Sequence, residues 1–168
     1  YCLNENHCPP QIKGRLAHFI HRKAMDINTI GERTIDALFD AGLVHNVADL
    51  YELRESDILG KLEGFRELST RNMLEGIQAS LAVPFERVLF ALGIRFVGQT
   101  VAKRLALHFR SMDRLMRASR EELLETPEVG EVIADSIVQF FAQPDSVQVL
   151  ERLREKGLQF EIHESAQG

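Results

Sequence analysis

Four stretches of this chain share one spelling. "TIGERTIDAL", "FVGQTVAKRL" and "EVGEVIADSI" each set an apolar residue before a glycine and apolar residues at the fourth and seventh places after it, and "GFRELSTRNM" joins them if Arg66 stands for the glycine. The aligned positions are Gly31, Arg66, Gly98 and Gly130, in steps of 35, 32 and 32 residues. A repeat of that length is one supersecondary unit that cannot bury its apolar face alone and must stack on its neighbours. Fourth-and-seventh spacing is one face of a helix. Each unit has a helical stretch upstream ("HFIHRKAM", "ESDILGKL", "FERVLFAL", "SREELLET"), so each reads helix, tight hairpin, helix; "VADLYEL" and "MDRLMRA" are short amphipathic connectors.

Helical periodicity runs from Leu16 to Leu153, and strand-like alternation is nearly absent until "LQFEIH" at 158–163. The expected fold class is therefore all-α, with four units in two compact pairs. Pro84 suits a fresh helix start and Gly93 its stop, which puts the boundary between pairs near Ala82. The expected division is 1–22 as an N-terminal remnant with the start of the first helix, 23–82 and 83–145 as the two pairs, and 146–168 as a C-terminal helix and linker. With 45% hydrophobic residues the chain has enough apolar side chains for such cores. No apolar run approaches the ~20 residues that span a bilayer, and no charged-then-apolar signal pattern opens the sequence, so a cytoplasmic protein without membrane partners is expected.

A helix that starts directly after an apolar-glycine hairpin points several unpaired amides one way, where a phosphate oxygen can accept them. One such hairpin is ordinarily only a turn; four in phase point to function. A similar period occurs in solenoids that bind proteins, so a helical-repeat interaction module is the alternative, although the chain has no Trp and its recurring feature sits at helix starts. A net charge of −5 argues mildly against non-specific adhesion to nucleic acid, but distribution matters more than the sum. Between Arg87 and Met112 there is no acidic residue and there are five cations, Arg87, Arg95, Lys103, Arg104 and Arg110. From Glu121 to Asp145 the pattern inverts, with seven carboxylates and no Lys or Arg. Lys103 and Arg104 near a helix start should cost roughly 0.3–1 kcal/mol each against the helix dipole unless an anion sits there. The third hairpin is thus the expected main anion site, with Gly98 and Thr100 as donors and Arg95 and Lys103 as charges; the carboxylates around Gly130 should repel one.

"AMDINTIGERTIDALFDAGLV", "DLYEL", "LEGFRELSTRNMLEGI" and "LFALGIRFVGQTVAKRLA" resemble, in this order and spacing, the tandem helix-hairpin-helix region of bacterial NAD-dependent DNA ligases. The resemblance implies a region that grips duplex DNA on both sides of a nick through the minor groove, independently of sequence, for an enzyme that seals nicks in replication and repair. It further implies that the adenylated lysine and the NAD site lie in other domains of the parent ligase. NAD and magnesium would be used there, and this chain alone would not be an enzyme. Carried onto the hairpins, the DNA-contacting candidates are Thr29, Ile30, Gly31 and Arg33; Gly64, Phe65, Arg66 and Arg71; Arg95, Val97, Gly98, Thr100 and Lys103; and Gly130. The first glycine of the family's Gly-hydrophobic-Gly hairpin is replaced by Thr29, Phe96 and Glu128, and the last by Arg66, so the hairpins should not approach a phosphate equally closely.

Cys2 and Cys8 are the two cysteines. Their spacing alone fits free thiols, a chance disulfide or a metal half-site. The resemblance implies the second pair of a four-cysteine structural zinc module whose first pair would precede Tyr1; a closed zinc site takes four ligands, so residues 1 to about 15 should be mobile or held only by packing. His7 and His18 could assist in principle, but His7 is expected to face solvent. "KLEG" at 61–64 resembles the Lys-x-Asp-Gly signature of nucleotidyltransferases, but nothing further of that machinery follows, and Lys61 is read as an exposed lysine at a helix end. His18, His21, His45, His108 and His163 show no ligand or nucleophile-base spacing, and "EELLETPEVGE" reads as a solvated acidic face.

Overall fold

The computed structural model describes residues 9–62 and 64–162. Helices occupy Pro9–Ile20 (α1), Glu32–Asp40 (α2), Glu55–Lys61 (α3), Glu67–Ala79 (α4), Phe85–Ala91 (α5), Gln99–Phe109 (α6), Met112–Arg117 (α7), Arg120–Glu125 (α8), Glu131–Ala142 (α9) and Pro144–Lys156 (α10), with single 3-10 turns at Val47–Glu52 and Ser80–Ala82. Among the described residues there is no strand, and no helix is long and apolar enough to cross a membrane. The "LQFEIH" segment makes only an isolated antiparallel bridge, Ser111 to Glu161. The fold is all-α, as the periodicity requires.

The repeated spelling is a core pattern. The fourth and seventh positions of the four units, Ile35 and Leu38, Thr70 and Met73, Ala102 and Leu105, Ala134 and Ile137, are all buried. The chain divides after Leu81 into two compact units. In the first, Leu16 and Phe19 of α1 are fully buried together with Leu50, Ile58 and Ile77. α1 is therefore part of this unit rather than a separate remnant. In the second, α10 contributes the buried Leu150 and Leu153, and the tail behind it is tied back by the Met112 amide donating to the Phe160 carbonyl (2.7 Å) and the Ile162 amide to the Arg110 carbonyl (2.9 Å). The described part of 146–168 belongs to that unit and is no free linker.

Ends are set by local chemistry. Ser111 and Ser119 accept the third-residue amides of α7 and α8, and Asn46 does so for the 3-10 turn at Val47. Pro84 occupies the position just before α5, and Gly93 follows its end at φ +69°. Gly157, at φ +100°, ends α10 in a left-handed conformation that costs glycine nothing.

One polar group inside the first unit sets a pH dependence. The Tyr51 hydroxyl lies 2.7 Å from Ser80 Oγ, which donates to the Ile77 carbonyl, and the Phe19 ring meets Tyr51 edge-on. Burial pushes the phenol up to about 12, opposed in part by the Ser80 hydrogen bond. A folded-state value above the unfolded one of ~10 means that the folded chain holds the proton longer, so this contribution is complete below pH ~10 and disappears as pH rises through the folded value. A rise of that size corresponds to about 3 kcal/mol. Urea unfolding at a series of pH values from 9 to 12 should therefore show an alkaline loss of stability in the wild type that is blunted in Tyr51→Phe. Equal alkaline losses in both would refute it.

Candidate nucleic-acid interface

Four tight turns lead into α2, α4, α6 and α9. In three of them an apolar residue is buried and its amide closes the turn: Ile30 donates to the Ile27 carbonyl at 3.2 Å, Val97 to Ile94 at 3.0 Å and Val129 to Thr126 at 3.1 Å. The residue two places before the one that starts the helix is left-handed in three turns, Gly64 at φ +83°, Phe96 at +69° and Glu128 at +69°. The first turn differs, with its left-handed residue at Asp26, φ +54°.

The residues that start the helices, Gly31, Arg66, Gly98 and Gly130, share one extended conformation, with φ between −116° and −89° and ψ near 180°. Each carbonyl accepts the first intrahelical hydrogen bond, at 2.9–3.0 Å from Ile35, Thr70, Ala102 and Ala134. The amides of the three intervening residues have no acceptor within the helix.

Neither backbone nor packing explains the three glycines. Their φ and ψ suit any residue, a Cβ on Gly31, Gly98 or Gly130 would meet nothing within 4 Å, and Arg66 occupies the equivalent place in the same conformation. Ser or Asn would cap a helix start at least as well, and this chain uses them elsewhere. What a glycine adds here is access: with no side chain, an outside group can reach the open amides.

The four openings differ in charge. Glu32, Glu67 and Glu131 are the first residues of α2, α4 and α9, where a carboxylate competes for the positive helix end; α6 alone of the four begins without one. Around it lie Arg95, Thr100 and Lys103, all exposed, and neither Arg95 nor Lys103 makes an ion pair among the described residues. The turn is braced from behind by Ser136 Oγ, which donates to the Arg95 carbonyl at 2.6 Å.

Several expectations change on this geometry. Lys103 and Arg104 are the fifth and sixth residues of α6, beyond the first turn to which the dipole effect is confined, so the anticipated dipole penalty does not arise. Arg104 is engaged by Glu128 at 3.6 Å, which neutralises one carboxylate of the fourth turn, and Arg120 holds Asp135 at 2.7 Å. Ile30 and Val97 present neither a side chain nor a free amide; they anchor their turns. Thr29 turns its hydroxyl toward α4, 3.4 Å from the Met73 carbonyl. Phe65 is half-buried, while Gly31, Arg33, Gly64, Arg66, Gly98 and Gly130 are exposed. The Arg66 amide donates to Ser69 Oγ at 3.0 Å, and Arg71 sits 3.9 Å from Glu55. Phe96, which the sequence marks only as a departure from glycine, is exposed next to the α6 start with the Arg95 guanidinium 5.0 Å from its ring centroid.

Lys61 is exposed in the last turn of α3. The His21 ring accepts the Lys23 amide, His45 faces Asp49 and Phe39, and His108 lies against Phe109. Among the described residues no group of His, Cys, Asp or Glu could hold a metal ion; Cys2, His7, Cys8 and His163 lie outside them.

Residues 87–150 match the helix-hairpin-helix motif family. The chain is 52% identical over 98% of its length to the DNA ligase of Phocaeicola vulgatus, 51% over 98% to that of Flavobacterium johnsoniae and 49% over 95% to that of Bacteroides fragilis. It spans about a quarter of these relatives, 24% of each.

Proposed function

We propose that this chain, similar over nearly its whole length to a segment of DNA ligases and carrying helix-hairpin-helix sequence in its second unit, holds nicked duplex DNA by its phosphate backbone. Nick sealing in replication and repair, with NAD and magnesium, is the reading for the longer ligase, and its chemistry falls to residues and domains beyond this segment. Cys2 and Cys8 are proposed as half of a structural zinc site completed by two further ligands. The observation that carries the DNA reading is the start of α6: open amides behind Gly98, no carboxylate in the first turn, and Arg95 and Lys103 without ion partners among the described residues.

Phosphate contacts carry no base identity, so removing one weakens all sequences alike. Lys103→Ala should lower affinity uniformly and reduce the slope of log K against log salt by about one, whereas Arg104→Ala, already paired with Glu128, should change it less. Fluorescence anisotropy on unrelated duplexes at several salt concentrations measures both. An unchanged slope for Lys103→Ala would make that cation a solvated bystander.

A further inference from the structure

Phe96 is held where folding gives it no reward. It stands at φ +69°, a conformation that costs a bulky L-residue roughly 1–2 kcal/mol. Gly64 fills the corresponding place of the second turn without that cost, and Glu128, at the same φ in the fourth turn, has Arg104 as an ion partner there. Nor does the ring repay the strain by burial, since it is 55% exposed. Its neighbour is the Arg95 guanidinium, 5.0 Å from the ring centroid. An aromatic residue in a strained conformation, exposed and stacked with a cation, is a feature whose explanation lies outside the monomer.

Phe96 precedes Gly98 by two residues, so its Cα lies within about 7 Å of the Gly98 Cα, the residue behind which the α6 amides open. A phosphate at those amides brings the carbons of its own deoxyribose to the same distance. We propose that Phe96 contacts DNA, laying its ring against the apolar face of the deoxyribose beside the phosphate held at Gly98. The inference rests on the reading of the α6 start as a phosphate site. Its setting favours nucleic acid over a protein partner: the stretch from Arg87 to Met112 carries five cations and no carboxylate of its own, and of these only Arg104 meets Glu128 of the fourth turn. One ring also falls far short of the ~800 Å² that each side of a stable protein interface buries.

The strain gives the proposal a test with opposite signs. Phe96→Gly relieves the left-handed backbone, and Phe96→Asn tolerates it, so both variants should unfold at urea concentrations no lower than the wild type. Both should nonetheless bind duplex DNA about fivefold to tenfold more weakly, in the range of one lost aromatic contact. Because no phosphate contact is removed, the salt slope should stay at the wild-type value. Phe96→Tyr, which keeps the ring, should bind within about twofold of wild type. Unchanged affinity in Phe96→Gly and Phe96→Asn would overturn the proposal and leave a protein surface as the ring's partner. A loss accompanied by a slope lower by one or more would overturn it too, by showing that the ring serves only to place Arg95 on a phosphate. If wild-type binding itself showed no salt dependence, the phosphate reading would fail first, and the two failures are distinguishable.

Discussion

Gly98→Val is expected to weaken duplex DNA binding by about tenfold or more, ~1.4 kcal/mol, without unfolding the second unit. The two halves of that expectation have separate physical bases. Folding is spared because Gly98 sits at φ −89° and ψ −169°, extended backbone that valine adopts readily, and because a Cβ there meets nothing within 4 Å. The remaining stability cost is that of a poor helix-start residue, up to about 1 kcal/mol. Binding is not spared, because the branched side chain stands in the space through which an anion reaches the open amides of Gln99, Thr100 and Val101. Gly130→Val makes the same steric change at a helix that opens on Glu131 and follows Glu128, and it should lose much less. Thermal unfolding with anisotropy titration on both variants measures the two effects, and a larger binding loss for Gly130→Val than for Gly98→Val would reverse the ranking of the turns.

The largest expected effect on stability lies in the first unit. Gly76 is in the interior of α4, where alanine would ordinarily gain about 1 kcal/mol of helix propensity. A Cβ there would stand 2.3 Å from Thr29 Oγ1 and 3.2 Å from its Cβ, so the Thr29 side chain must give way or α4 and the first turn must move apart. Overpacking of this kind costs about 1–3 kcal/mol. Gly76→Ala should therefore destabilise the first unit, contrary to propensity, and Thr29→Ala in the same chain should recover most of the loss because the two nearest atoms are gone. Additive effects of the two substitutions in urea unfolding would show that the contact is not responsible.

Much of this architecture is written in local pattern. The positions that begin α2, α4, α6 and α9 are those that the repeated spelling marks, because a helix start and a one-sided apolar face are properties of adjacent residues. What the pattern did not carry depends on residues far apart in the chain. The Thr29 approach to Gly76, the Ser136 brace on Arg95 and the return of Phe160 and Ile162 to Met112 and Arg110 each join segments more than 40 residues apart, and no periodicity encodes them. The site was legible as glycines and charges, but counting charges along the chain misjudged two of them. Arg104 is a partner of Glu128 rather than a free cation, and Lys103 lies one turn too deep to oppose the dipole. The distinction that singles out α6 is smaller than a charge count: a glutamine, Gln99, where the other three hairpin helices begin with glutamate.

The central claim, that the chain holds DNA by its backbone, is tested most directly by one titration of nicked and intact duplexes of unrelated sequence across a range of salt. The account predicts that log K falls linearly with log salt, with a slope of about −2 or steeper, corresponding to at least two phosphates, and that affinities for unrelated sequences agree within about tenfold. Binding that does not respond to salt, a preference above about tenfold among unrelated duplexes, or no binding at the lowest salt would contradict it.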